Sequence, residues 1–411
     1  MTAGPDVAPG SASALRVFIL LLKSNIGTGA LFLPGAFGDG GYAFSFVLLI
    51  VLAFLSTVGM VLLAQTNQLV PGSFEEMGKK LYGRWLHLLI LGSVALAQSG
   101  FCSAYTVFIA QNTVEFVRRV SHDAILLKTW HIILIEMAFF IPCSWVRRVE
   151  NFSAFSLMGN AFVLFGLGVI CVSGISHIID VGHVAEGIVQ FNPDKFALYI
   201  GTAVYTYEGI GLVIPVSQSM KNPQRFPLVL SLALTVTTAV YLFVASCGYL
   251  AWGPDVKPIV LFNLPEGGFT SAIYILYIVA ILLSWPLILF PATVIVERLL
   301  IPTPPLELEK GAKPVRGADW SPRKRYWAQN AVRTCLVIVI GCIAYAAGEA
   351  LNKLVSIIGS FGCVPLSFVY PGLLHMRSHP EQGLLGRFTD WFLVVVGTIA
   401  MIYVTIMTFM S

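Results

Sequence analysis

The sequence predicts an all-α membrane protein: eleven transmembrane helices, ten of them in two inverted five-helix halves, followed by one extra helix. Three observations carry this reading. The chain is too apolar to be soluble, its apolar runs have bilayer-spanning length, and two of the runs are interrupted by the same glycine pattern. Of 411 residues, 57% are apolar (AVILMFWYC) and 11% are charged. Counted with the 37 Gly in place of the 14 Tyr, the apolar share is roughly 63%, against about 45–50% in soluble domains. A soluble globule of this length would not hide so much apolar surface and still cover itself with charge.

About 20 mostly apolar residues cross the hydrocarbon core as a helix. Eleven segments qualify: 15–37, 42–66, 84–118, 130–147, 152–178, 196–220, 226–250, 269–300, 328–347, 350–373 and 387–410. Between them lie polar or Pro/Gly-rich stretches such as PGSFEEMGKK, KNPQRFP and the long IPTPPLELEKGAKPVRGADWSPRKRY. Residues 1–14 form a short tail without a basic n-region, so the first run does not read as a cleaved signal peptide.

An odd number of spans puts the termini on opposite sides. With the amino terminus in the cytosol, 18 Lys and Arg fall on the cytosolic side, among them Arg16, Lys79, Lys80, Arg147, Arg148, Lys310, Lys313, Arg316 and Arg333. Six fall opposite: Arg118, Arg119, Lys128, Lys195, Lys257 and Lys353. Positive charge accumulates on the cytosolic side, so the amino terminus is expected there and the carboxyl terminus is not. The sequon Asn151-Phe152-Ser153 then lies in a cytosolic turn and is expected to stay unglycosylated. An endoglycosidase-sensitive mass shift lost in Asn151→Gln would invert the topology.

The first span contains Lys23-Ser24-Asn25-Ile26-Gly27-Thr28-Gly29-Ala30 and then Pro34. The sixth repeats the order with Tyr205-Thr206-Tyr207-Glu208-Gly209-Ile210-Gly211 and then Pro215. Paired glycines weaken a helix. Within a bilayer, backbone opened by such a break must face protein or a cavity. Interrupted helices at matching positions of two halves mark a carrier site near the midplane. Half-helix starts there hold a carboxylate and half-helix ends hold an ammonium, so the pair of poles suits a zwitterion. Close helix packing is the competing account of the glycines, but it does not explain the shared Gly-x-Gly…Pro order.

LLLKSNIGTGALFLPGAF, TAVYTYEGIGLVIPVSQSMKNPQRFP and, in the third span, AQSGFCSAYTVFIAQN resemble signatures of the amino acid/auxin permease family. The nearest branch is that of proton-coupled amino acid transporters and fungal vacuolar amino acid exporters, and the resemblance extends over all eleven spans. It implies the five-plus-five inverted-repeat fold of the amino acid–polyamine–organocation superfamily (LeuT-like), with helices 1 and 6 broken. The ten-helix core is then 15–373, divided into repeats at about 15–178 and 196–373, with 387–410 appended. Many fungal vacuolar members carry a long polar amino-terminal extension where this sequence has its short tail.

Substrate contacts are expected from Asn25, Ile26, Gly27, Thr28 and Gly29 at the first break and from Tyr205, Tyr207, Glu208, Gly209 and Gly211 at the second. Phe101, Tyr105 and Trp285 are candidates for a side-chain pocket, though each is equally at home as packing. Glu208 sits about twelve residues from either end of its span, too deep to reach water by stretching. An ionised carboxylate is costly there, which makes Glu208 a candidate proton carrier. Lys23 is the intramembrane base: it neutralises Glu208, holds the site open, or replaces a sodium ion used by relatives. Glu136 in the short fourth span is the weaker acid.

No cofactor is expected beyond protons as coupling ion. The seven Cys form no CxxC, no HExxH occurs, and Gly72-SFEEM-Gly78-Lys79-Lys80 has the wrong spacing for a P-loop. Basic residues lie between apolar runs, a distribution that does not suit nucleic acid. The expected function is secondary transport of neutral amino acids by proton symport, from an acidic vacuolar or lysosomal lumen to the cytosol. A plasma-membrane uptake permease and an amino-acid-sensing receptor are the competing readings. The expected partners are a small-molecule amino acid and the lipid bilayer.

Overall fold

The computed structural model describes residues 10–147, 150–301, 320–348 and 350–410, the side chains of 150–157 excepted. Arg148, Lys310, Lys313, Arg316 and the side chain of Asn151, all used in the topology reading, lie outside the described residues. The first predicted span is not one helix. It is α1 (Ala14–Asn25), a tight turn at Thr28–Leu31 and α2 (Leu33–Gly40). The sixth is likewise divided into α8 (Phe196–Thr206) and α9 (Ile210–Ser219). Each break falls where the sequence pairs its glycines.

The remaining spans follow in order. After α3 (Tyr42–Leu69) comes a short amphipathic helix, α4 (Phe74–Tyr82), beginning within the polar PGSFEEMGKK stretch between two spans. Then come α5 (Arg84–Val120), α6 (Thr129–Ser144) and α7 (Glu150–Val181) in the first half, and α10 (Phe226–Trp252), α11 (Gly268–Leu300) and α12 (Pro322–Ala347) in the second. The tenth span starts as α13 (Leu351–Ile357), widens into π-helical turns at Ile358–Cys363 and Pro365–Val369, and closes as α14 (Tyr370–Ser378). The last is α15 (Leu384–Met410). Among the described residues nine helical segments are long and apolar enough to cross a bilayer, with the divided 196–219 counted as one. The broken first span and the 16-residue α6 are shorter.

Small residues let the site-bearing helices approach. A Cβ on Gly201 would stand 2.3 Å from Ser356 Oγ, so α8 and α13 nearly touch along backbone. Such contacts replace the hydrophobic drive that lipid removes. The π-turns begin where this contact is closest, and π-turns are common at functional sites. The other helices form a frame. At its predicted cytosolic end, Arg333 of α12 pairs with Glu297 of α11 and donates to the carbonyls of Ser144 (2.7 Å) and Val146 (3.1 Å). Both side chains of this pair are almost fully buried, so removing either would strand the other charge.

Candidate substrate site at the paired helix breaks

At the first break α1 ends on Asn25 and the chain turns extended through Ile26 and Gly27 (φ −133°, ψ −163°) before the tight turn begins. Asn25 is buried. Its Nδ2 donates to Leu21 O (2.8 Å), whereas its Oδ1 accepts nothing within the described protein. Thr28 Oγ1 donates to Tyr105 Oη (2.9 Å), which brings α5 to the break. A Cβ on Gly27 would meet nothing within 4 Å, so open space lies beside that backbone.

The second break joins the first directly. A Cβ on Gly29 would stand 3.2 Å from Thr206 Cα, and one on Gly209 would stand 2.8 Å from Asn25 Oδ1. Tyr241 of α10 locks the two together. Its hydroxyl donates to the Asn25 carbonyl and lies 3.4 Å from the Thr206 carbonyl, one from each half. Sequence reasoning missed Tyr241, since a mid-span tyrosine with no neighbouring break carries no signal of its own. On the α5 side, the Phe101 ring packs edge-on against Tyr205 (4.9 Å between centroids), and Phe32 lies over Tyr205 at 6.2 Å. Asn25, Ile26, Gly27, Thr28, Gly29, Phe101, Tyr105, Tyr205, Glu208 and Gly209 are therefore gathered at or around one place. Gly211, the second residue of α9, borders open space.

Three expectations need correction. Trp285 does not reach the breaks: its indole donates to Cys102 O (3.0 Å) and stacks on Phe140 at 3.9 Å, inside the α5–α6–α11 frame. Burying a large ring with its N–H satisfied is a packing role. Tyr207 turns its hydroxyl to Thr238 on α10 (2.8 Å), because the open turn after Thr206 points successive side chains in different directions. Lys23 and Glu208 form no ion pair among the described residues. The Lys23 backbone lies against α7, where Asn160 Nδ2 donates to its carbonyl (3.1 Å). Glu208 is half-buried in the turn between α8 and α9. Glu136 is almost fully buried in α6, and neither of its oxygens has a partner among the described residues.

The two faces differ. On the predicted cytosolic face, the segment before α1 runs beside the end of α9: Gly10 N–H donates to Gln218 O (3.2 Å), Ala12 N–H to Ser219 O (2.9 Å) and Lys221 N–H to Ala12 O (2.9 Å). Gln218 extends the closure to α3 by donating to Asn67 Oδ1 (2.9 Å). On the opposite face, a cavity of about 380 Å³ descends between α2, α8, α10 and α13 as far as Phe32 and Thr202. Ala12→Pro deletes the central donor of the closure. Hydrogen–deuterium exchange over residues 216–221 should rise in that variant; unchanged exchange would show that these bonds do not hold the face shut.

Two divided helices that meet at their breaks, closed on one face and hollow on the other, define the LeuT-like fold class. The chain belongs to the transmembrane amino acid transporter protein family, whose model matches residues 10–410. It is 38% identical over 96% of its length to "Vacuolar amino acid transporter 4" of Saccharomyces cerevisiae. It is 36% identical over 98% of its length to "Vacuolar amino acid transporter 3" of Schizosaccharomyces pombe. The chain spans 58% of the length of each of these two relatives. Among solved structures, the inward-facing conformation of Mhp1 aligns with a TM-score of 0.58, 13% identity, and coverage of 99% of this chain and 93% of that one.

Proposed function

We propose that this chain is a secondary amino acid carrier that works by alternating access, coupled to protons. It moves neutral amino acids from an acidic vacuolar lumen to the cytosol, with the amino terminus cytosolic and the carboxyl terminus lumenal. The observation that carries this reading is the junction of the breaks, where Asn25, Gly29, Thr206 and Gly209 meet under Tyr241. The first N–H groups of a half-helix have no partner within the helix, and the last carbonyls likewise. At this junction the first break offers N–H groups of the Thr28 turn to a carboxylate, and the end of α8 offers carbonyls to an ammonium.

Rocking of α1–α3 and α8–α10 against the frame then opens the Ala12–Met220 closure while the opposite cavity shuts. The names of the two fungal relatives supply the vacuolar membrane and the amino acid cargo. About two pH units contribute about 2.7 kcal/mol per proton, enough for roughly hundredfold accumulation. A membrane potential adds about 2.3 kcal/mol per charge per 100 mV. The direct test is uptake of an amino acid panel by proteoliposomes under an imposed pH gradient. Uphill accumulation that collapses with a protonophore supports the reading; downhill flux indifferent to the gradient removes the proton coupling, and no flux removes the carrier.

A further inference from the structure

The cavity opposite the cytosolic closure contains two charges that the central site does not use. Asp39 sits in the last turn of α2, and Lys195 occupies the residue just before α8. Both line the same space of about 380 Å³, within the range of small-ligand sites (about 300–1,000 Å³). No ion pair joins them among the described residues, so two opposite charges face one cavity without neutralising each other directly. Asn352 lines the same space beside them.

The backbone strengthens the same polarity. Asp39 stands at the carboxyl end of α2, the pole that attracts cations, and Lys195 at the amino end of α8, the pole that attracts anions. The two ends are fixed relative to each other. Asn192 N–H donates to Gly40 O (3.1 Å), the Asn192 side chain donates to Gly38 O (3.3 Å), and Phe196 N–H donates to Asn192 O (3.1 Å). Below, Phe32 forms the floor, held edge-on against Phe108 and Tyr205 at 6.0 and 6.2 Å. Thr202, one turn before the Thr206 that touches Gly29, completes it. The floor separates this space from the breaks.

We propose that the cavity is an outer binding site for a free amino acid, with the ammonium on Asp39 and the carboxylate on Lys195, occupied before the substrate passes Phe32. This rests on the carrier reading above. The test is equilibrium binding of tritiated L-leucine, and in parallel tritiated L-arginine, to the purified full-length chain. The expected result is two molecules bound per chain, falling to one in Asp39→Asn and to one in Lys195→Gln, with thermal stability maintained. Either variant suffices if the other folds poorly. Gly27→Val should also leave one, and the combination with Asp39→Asn none. Leucinamide, which lacks the carboxylate, should displace leucine from the outer site at least tenfold less well than leucine does. One molecule bound to wild type, unaffected by Asp39→Asn or Lys195→Gln and abolished by Gly27→Val, overturns the outer site and leaves the carrier reading standing. Absence of binding by both probes, together with absent uptake, overturns both.

Discussion

Glu208→Gln is expected to exchange labelled for unlabelled amino acid across a membrane and to fail at accumulation. The substitution keeps the shape and hydrogen-bonding capacity of the side chain but removes the titratable proton. If Glu208 carries the coupling proton, the variant mimics the permanently protonated carrier, and exchange needs no net proton movement. Under an imposed gradient of about two pH units, accumulation should therefore fall from roughly hundredfold to no accumulation, a loss of about 2.7 kcal/mol of coupling. Glu208→Ala should lose exchange as well, because a gap in the turn between α8 and α9 disturbs the junction that Tyr241 holds. Reconstituted protein of matched quantity separates lost coupling from poor folding. Accumulation by Glu208→Gln equal to wild type would exclude Glu208 as the carrier of the proton. Glu136, buried with both oxygens unpartnered among the described residues, would be next.

The helices and their breaks were legible because lipid imposes length and because backbone can be opened only where glycine weakens it. The Gly27-x-Gly29 and Gly209-x-Gly211 patterns located the divided helices to within a few residues. Tyr105 was legible through its place on the third span, and the Thr28 bond accounts for its position. Side-chain direction was not legible. Trp285, a mid-span aromatic and a candidate for the side-chain pocket, turns onto Phe140 instead. Tyr207 and Tyr241 are both mid-membrane tyrosines, and only their hydrogen-bond partners separate the packing residue from the one that joins the halves. Asp39 and Lys195 lie 156 positions apart, at the edges of spans, where charges are ordinary. Their convergence on one cavity depends on how α2 and α8 pack, which no local pattern records. The π-turns after Ile357 likewise depend on contact with α8.

Gly27→Val should abolish substrate binding at the helix breaks while the protein remains folded, and comparison with its neighbours makes the result specific. A Cβ at position 27 enters open space, so the protein itself has nothing to move. The backbone there is extended, a conformation that a β-branched residue accepts readily. The added methyl groups therefore occupy the volume that the substrate needs beside the Thr28 turn. Affinity should drop at least hundredfold, about 2.7 kcal/mol, with little change in melting temperature in detergent. Gly209→Val should lose binding and stability together, since its Cβ would stand 2.8 Å from Asn25 Oδ1 and force that buried side chain to turn. Gly29→Val should be the least stable of the three, because its Cβ would stand 3.2 Å from the Thr206 Cα, where only a shift of a half-helix relieves the crowding. Substrate-induced thermal stabilisation reads both quantities in one experiment. Normal stabilisation by substrate in Gly27→Val combined with Asp39→Asn would place the central site elsewhere, and equal melting temperatures for all three single variants would show that the two breaks do not meet as closely as the Gly29–Thr206 and Gly209–Asn25 approaches require.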